Sequence, residues 1–353
     1  MDLSPRLSDD APAETEPADV TADGPTATRR RHLATTATAG LFAAVAGCGA
    51  IGSGGPADTE PSERTDETDD ESNPVGDLPL FDAHAHVIPT AARGQDSLSA
   101  DELVDWMDAN GVDRAAVMAF DSPEGYPVQA PSWWVLEQVA AYPDRLVPFC
   151  TIDPRTMTYG EEAVDVFERY VDSGAQGFGE LKVGMPIDDG RLEPLYELCA
   201  EHGLPIVFHT DRQFLTDEVG LPRLEEVLAS YPEVDFVAHA TGWWAHVAAD
   251  VEPSDLGGRP EGPIESRGRV WELLSTYDNV YGDLSTRAGW NALTRDAEHG
   301  RALLETHHEQ LVFGSDYLYP GQEVPLLEAF DRFDLERDAW ANVRHRNLEG
   351  LLR

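Results

Sequence analysis

Between Phe81 and Val87 the chain reads Phe-Asp-Ala-His-Ala-His-Val, which sets His84 and His86 two residues apart. In an extended strand, residues i and i+2 point to one side, so both imidazoles face the same way. His209 falls at the end of the apolar run Pro205–Thr210, His239 at the end of Val234–Ala240 and Asp316 at the end of Leu311–Asp316. Glu180 and Lys182 share a face of the run Gly177–Val183. Four imidazoles with carboxylates form a donor set suited to a divalent cation, Zn²⁺ being the expected one. Any single histidine here could be a core residue with a satisfied ring. Collected at the ends of successive apolar runs, the set points to one metal site holding one or two ions.

The elements that would have to position these side chains are legible in the alternation of the chain. Short apolar runs at Leu80–Val87, Ala115–Phe120, Leu146–Ile152, Gly177–Val183, Pro205–Thr210, Val234–Ala240, Val280–Leu284 and Leu311–Asp316 read as buried strands. Amphipathic stretches lie between them, among them Ser99–Asn110, Glu161–Ser173, Leu192–His202 and Arg269–Tyr277. Eight strand-helix units predict an α/β fold, a (β/α)₈ TIM barrel spanning residues 80–353. An open doubly wound sheet would show a glycine fingerprint after its first strand, and none is present. In such barrels the chemistry sits at the carboxyl ends of the strands, where the His, Glu and Asp residues fall.

His-x-His on strand one, His on strands five and six and Asp on strand eight resemble the amidohydrolase superfamily. The flanking Phe313-Gly314-Ser315-Asp316-Tyr317 resembles its amidohydrolase-related branch, which contains aminocarboxymuconate-semialdehyde decarboxylase. The similarity runs over about residues 78–353. It implies His84, His86, Glu180, His209, His239 and Asp316 as metal ligands, with Asp316, His239 and Lys182 as catalytic residues. In dinuclear relatives a strand-four carboxylated lysine or glutamate bridges two ions. Glu180 could take that role, with His84, His86 and Asp316 on one ion and His209 and His239 on the other. Many members of the decarboxylase-like branch carry an apolar residue before the lysine, so Glu180 departs from that pattern. In mononuclear relatives the strand-six histidine handles protons and is not a ligand. The strand-eight aspartate of dinuclear relatives both touches metal and accepts a proton from the attacking water.

Lys182 stands out because it is the one lysine in a chain with 25 basic residues. It would serve as a carboxylated bridge or as a compact cation for a substrate carboxylate; the plainer alternative is a neutraliser of Glu180. Asp283, at the end of strand seven, is equally readable as functional or structural. The segment Thr241–Ile264 after strand six reads as a long loop, a lid or wall. Its Trp243, Trp244 and His246, with Trp133 and Trp134, could line a pocket for a planar group or pack against the outer helices. Arg155 and Arg287 are further candidates for meeting a carboxylate.

The first 79 residues carry different signals. Thr28-Arg29-Arg30-Arg31-His32-Leu33, a weakly apolar stretch to Gly47 and Val45-Ala46-Gly47-Cys48 read as a signal segment over residues 1–48. The Arg pair resembles a twin-arginine signal and the last four residues a lipobox, which implies export by that route, a lipid on Cys48 and attachment to the outer face of the cell membrane. Residues 49–79 hold nine acidic residues against one arginine and read as a solvated acidic linker. Cys150 and Cys199 read as buried thiols outside any disulfide framework.

Sixty-six acidic residues against 25 basic ones give a net charge of −41. Acid-rich, lysine-poor composition suits a halophilic protein working in molar salt, where the Debye length falls to about 3 Å. Such charge repels phosphate backbones, so no nucleic-acid partner is expected and a TatD-like nuclease is disfavoured. The expected partner is a small-molecule substrate, with the membrane met only through the lipid at Cys48. The leading reading is a metal-dependent hydrolase of an ester, lactone, amide or phosphoester. The alternatives are a metal-dependent non-oxidative decarboxylase of a small unsaturated or aromatic acid, and a binding lipoprotein that has lost catalysis.

Overall fold

A computed structural model describes residues 75–352. The signal segment and most of the acidic linker lie outside the described residues. Eight parallel strands pair in sequence order. They are β1 (Phe81–His86), β2 (Arg114–Met118), β3 (Leu146–Cys150), β4 (Gly177–Leu181), β5 (Ile206–His209), β6 (Phe236–His239), β7 (Val280–Asp283) and β8 (Leu311–Val312). The ring closes by backbone bonds from β1 to the chain after β8: Ala83 N donates to Phe313 O at 2.8 Å, and Asp316 N donates to His84 O at 2.7 Å. This is the (β/α)₈ barrel that the alternation of apolar runs predicts.

Helices α1 (Ala100–Asn110), α2 (Ser132–Val139), α3 (Glu161–Asp172), α4 (Glu193–His202) and α5 (Pro222–Ser230) follow the first five strands. The short α6 (Thr241–Ala245) and α7 (Arg269–Thr276) follow β6, and α8 (Thr286–Thr294) and α9 (Ala297–His307) follow β7. Three short helices close the chain: α10 (Ala329–Arg332), α11 (Arg337–Ala341) and α12 (Asn347–Leu351). Local chemistry sets their ends. Ser99 and Glu102 form a reciprocal capping box on α1, and Gly111 closes that helix in the left-handed region.

Two apolar cores result. Phe81, Ala83, Ala116, Met118, Val147, Phe149, Val207, Val237 and Val312 fill the barrel interior, joined by Leu348 and Leu351 from α12. The larger core lies between strands and helices. Phe81 and Ala83 belong to the interior, Ala85 to the outer layer, and the β1–β2 register shifts between Asp82 and Ala85. A one-residue slip changes which face a side chain takes, so this shift lets His84 and His86 project above the interior layer. The β4–β5 ladder shifts between Phe178 and Leu181, beside Glu180. Irregular pairing thus occurs beside His84 and His86 on β1 and beside Glu180 on β4.

The packed body starts before Leu80. Val75 is buried and Asp77 forms an ion pair with Arg337 at 2.6 Å, so residues 75–79 of the expected linker belong to the barrel. No helix among the described residues is long and apolar enough to cross a membrane.

Candidate metal centre

The residues that sequence spacing singles out converge above the barrel interior. His84 Nε2 lies 3.1 Å from His86 Nε2, and Asp316 Oδ1 lies 3.3 Å from His86 Nε2 and 3.7 Å from His84 Nε2. Across the barrel, β5 and β6 pair in register at His209 and His239. His209 Nδ1 and His239 Nε2 stand 3.0 Å apart, each 2.9 Å from Glu180 Oε1. The other oxygen, Glu180 Oε2, is 3.7 Å from His84 Nε2 and 3.8 Å from His86 Nε2. One carboxylate therefore presents one oxygen to each histidine pair.

Outer partners fix the ring tautomers. His84 Nδ1 donates to Asp283 Oδ2 at 2.7 Å, which turns its Nε2 lone pair inward. Ser285 Oγ also donates to Asp283 Oδ2, at 2.8 Å, so it is left to accept from His239 Nδ1 at 3.2 Å. His209 Nε2 donates to Asp211 Oδ2 at 3.0 Å. In those tautomers the inner nitrogens of His84, His209 and His239 face carboxylate oxygens, an arrangement satisfied by a positive charge between them, either a shared proton or a metal ion. Glu180 Oε2 and His86 Nδ1 are buried without a hydrogen-bond partner among the described residues. Donors held about 2.0–2.2 Å from one ion in a tetrahedron stand about 3.3–3.6 Å apart. The spacings here match that scale, and the groups His84–His86–Asp316 and His84–Glu180–His239 each fit around an ion.

Protons respond to the same field. Burial opposes charge on His84, but bonds to Asp283 and Glu180 outweigh it and hold the imidazole well above its ordinary pKa. Burial, then the neighbouring charge of His84, pulls His239 down to about 4. Glu180 is held well below the carboxylate range: burial opposes this, while Lys182 and the bonds from His209, His239 and His84 favour the anion. Asp316, despite burial, drops to about 2 through His86 and the charge of His84. Its backbone sits in the left-handed region at φ 50°, an uncommon conformation for a non-glycine residue and one often found at functional sites.

Two carboxylates brace the site. Asp283, ambiguous from sequence, is fully buried and orients His84. Trp244 Nε1 donates to the Asp283 carbonyl at 2.8 Å, and a Cβ on Gly314 would come within 2.2 Å of Asp283 Oδ1. Asp82 was not among the residues singled out by spacing. It accepts from His84 N and Ser315 N, each at 2.9 Å, and from Ser315 Oγ at 2.5 Å, fastening β1 to the end of β8. Burial pushes its carboxyl up to about 7. Its place two residues before His84 was the available signal.

A cavity of about 420 Å³ opens beside the centre, lined by His209, Asp211, Lys182, Phe120, Phe214 and Arg93 among others. Lys182 Nζ faces this cavity 3.6 Å from Glu180 Oε1, while Glu180 itself stands between the histidine pairs. Of the two readings of the tryptophans, packing is the one observed for all but Trp133, and none of them lines this cavity. Trp243 and Trp244 are buried because the segment after β6 folds into α6, where Gly242 packs against the Thr210 carbonyl. His246 is buried too, with Nδ1 donating to Gly242 O and Nε2 accepting from Gly220 N. Trp134 packs on the core and Trp133 is exposed. Arg155 is committed to Asp153 and Glu124, and Arg287 is exposed beside Glu323. Cys150 and Cys199 are buried free thiols, as expected.

Fold and site together define a (β/α)₈ barrel with a candidate metal centre at the carboxyl ends of its strands. The family model described as amidohydrolase matches residues 81–349, and the chain belongs to that family. Solved structures with the same fold include 5-carboxyvanillate decarboxylase from Sphingomonas paucimobilis, 16% identical with a TM-score of 0.51, covering 78% of this chain and 99% of that one. A probable 2-pyrone-4,6-dicarboxylic acid hydrolase from Acinetobacter baumannii is 12% identical, with a TM-score of 0.50 and coverage of 78% and 99%. A dihydroxybenzoic acid decarboxylase from Polaromonas sp. JS666, solved with bound manganese, is 14% identical, with a TM-score of 0.50 and coverage of 78% and 97%. At these identities the likeness is one of fold. No curated protein sequence matches this chain.

Proposed function

We propose that the chain is a metal-dependent hydrolase acting on an ester, lactone, amide or phosphoester, with Glu180 shared between two divalent cations. The observation that carries this reading is the division of the Glu180 carboxylate, one oxygen toward His84 and His86 and the other toward His209 and His239. His84, His86 and Asp316 would hold one ion, and His209 and His239 the other, zinc being the ion best suited to this donor set. A bound ion supplies Lewis acidity, which makes water acidic enough to lose a proton near neutral pH. Asp316, ionised and in contact with His86, would accept a proton from the attacking water and return it to the leaving group. Asp283, Ser285 and Asp211 keep the imidazoles in the tautomers that face inward.

A second reading, a non-oxidative decarboxylase with one ion and His239 as proton donor, is favoured by one observation. The Lys182 ammonium faces the cavity, where it can hold a carboxylate. Turnover separates the two readings. Protein loaded with zinc or manganese is tested against esters, lactones and phosphoesters by product release, and against aromatic and unsaturated acids by carbon dioxide release. Hydrolysis without decarboxylation is the expected result; decarboxylation without hydrolysis contradicts the first reading.

The same proposal places the enzyme outside the cell by the twin-arginine route, tethered through a lipid on Cys48. Support comes from the Arg29-Arg30 pair and from Val45-Ala46-Gly47-Cys48 in the sequence.

A further inference from the structure

We propose that an outer cavity, separate from the one beside the metal centre, binds an organic ammonium, with the cation on Asp121 and its apolar body against Tyr159, Tyr170 and Val166. Helix α3 builds one wall: Ala163, Val166 and Tyr170 recur at helical spacing and so share a face. That face meets Ile152 and Tyr159 from the chain after β3, and together they line a cavity of about 470 Å³. Among the described residues, none lines both this cavity and the one beside the metal centre. One ionic bridge links the two. Arg155 donates to Asp153, which lines the outer cavity, at 2.8 and 2.7 Å, and to Glu124, which lines the other, at 3.0 and 2.7 Å.

Charge in the outer cavity is unbalanced. It holds three carboxylates, Asp121, Asp153 and Glu162, and no arginine, lysine or histidine among the described residues lines it. Asp153 is spent on Arg155. Neither Asp121 nor Glu162 forms an ion pair with a basic side chain among the described residues. Asp121 is half-buried. Burial raises its pKa, Ser132 offsets part of this, and the charge of Asp153 adds to it. A carboxylate desolvated in this way is stabilised by a cation brought to it, whereas an anion is repelled and a neutral molecule leaves it unpaired. Apolar walls favour an organic cation over a metal ion, which would need more oxygen donors. The Tyr159 ring, 67% exposed, offers a face to such a cation, and the volume suits a single-ring body.

Titration of the metal-loaded full chain tests this, at neutral pH and one fixed high salt concentration, with phenethylamine and its neutral counterpart phenethyl alcohol as probes. Ligand-observed NMR reads both affinities without turnover. Wild type is expected to prefer the amine by about tenfold, the scale of a charge-assisted hydrogen bond. D121N should bring that ratio close to one. Y159A, at an exposed position outside the core, should weaken amine binding about two- to fivefold, the scale of an exposed cation–π contact. Equal affinity for the two probes in the wild type, or wild-type amine affinity in either variant, overturns the proposal; the latter would mean that the cation collects elsewhere on the acidic chain. Sedimentation of wild type and Y159A tests the other occupant. A dimer that Y159A dissociates would mean that a second copy of the chain fills this face, which also overturns the proposal.

Discussion

The chemistry of the centre is decided by which nitrogen of each imidazole faces inward, and that choice is made by residues which touch no ion. Asp283 takes the Nδ1 proton of His84 and, through Ser285, directs that of His239. Removing such a partner costs metal affinity about 10–100-fold in comparable sites. D283A is expected to weaken metal binding by that factor without removing a ligand, as read by competition with a chromophoric chelator. Unchanged affinity in D283A would show that the tautomers are set by something else. The ligand candidates were legible because His-x-His and strand-end His and Asp residues keep their meaning without a structure. Asp283 and Asp82 were harder, because a carboxylate that orients a histidine has no fixed spacing from it in sequence.

At the scale of elements, fully buried parallel strands gave apolar runs, and these marked β1 to β7 to within a residue or two at most ends. β8 is the exception. It keeps only Leu311–Val312 as strand, because the chain then turns through Gly314 and Ser315 into the left-handed Asp316. The bonds from Asp82 to Ser315 hold that turn against β1. D82A leaves two backbone N–H groups and a hydroxyl without their buried acceptor, which is expected to destabilise the fold by about 2–4 kcal/mol. Chemical denaturation measures this, and a loss under about 0.5 kcal/mol would show that the closure does not depend on Asp82. The segment after β6 reads as a lid or wall whose tryptophans could line a pocket or pack against the helices, and packing is what Trp243 and Trp244 do. Its burial follows from the packing of Gly242 on the Thr210 carbonyl, a contact between distant residues.

For the whole molecule, the sequence carries a net charge of −41, and in the barrel Cys150 and Cys199 are buried. Burial raises both thiols, Cys150 to about 12, so neither forms thiolate near pH 8 in the folded barrel. Peptide mapping after alkylation should find both unmodified in molar salt. Both should react when salt falls to about 0.1 M, where the Debye length of about 10 Å leaves like charges unscreened. Persistent protection at low salt would show that the acidic surface does not govern stability. Oppositely, the centre gains from charge: a bound ion stabilises the folded chain by mass action, and its loss to a chelator should lower the melting temperature. Sharing of Glu180 by two ions is tested by elemental analysis of the full chain and of E180Q, both purified in high salt without chelator. About two divalent ions are expected per wild-type chain and at most one in E180Q; a single ion retained equally by both proteins would exclude a shared Glu180.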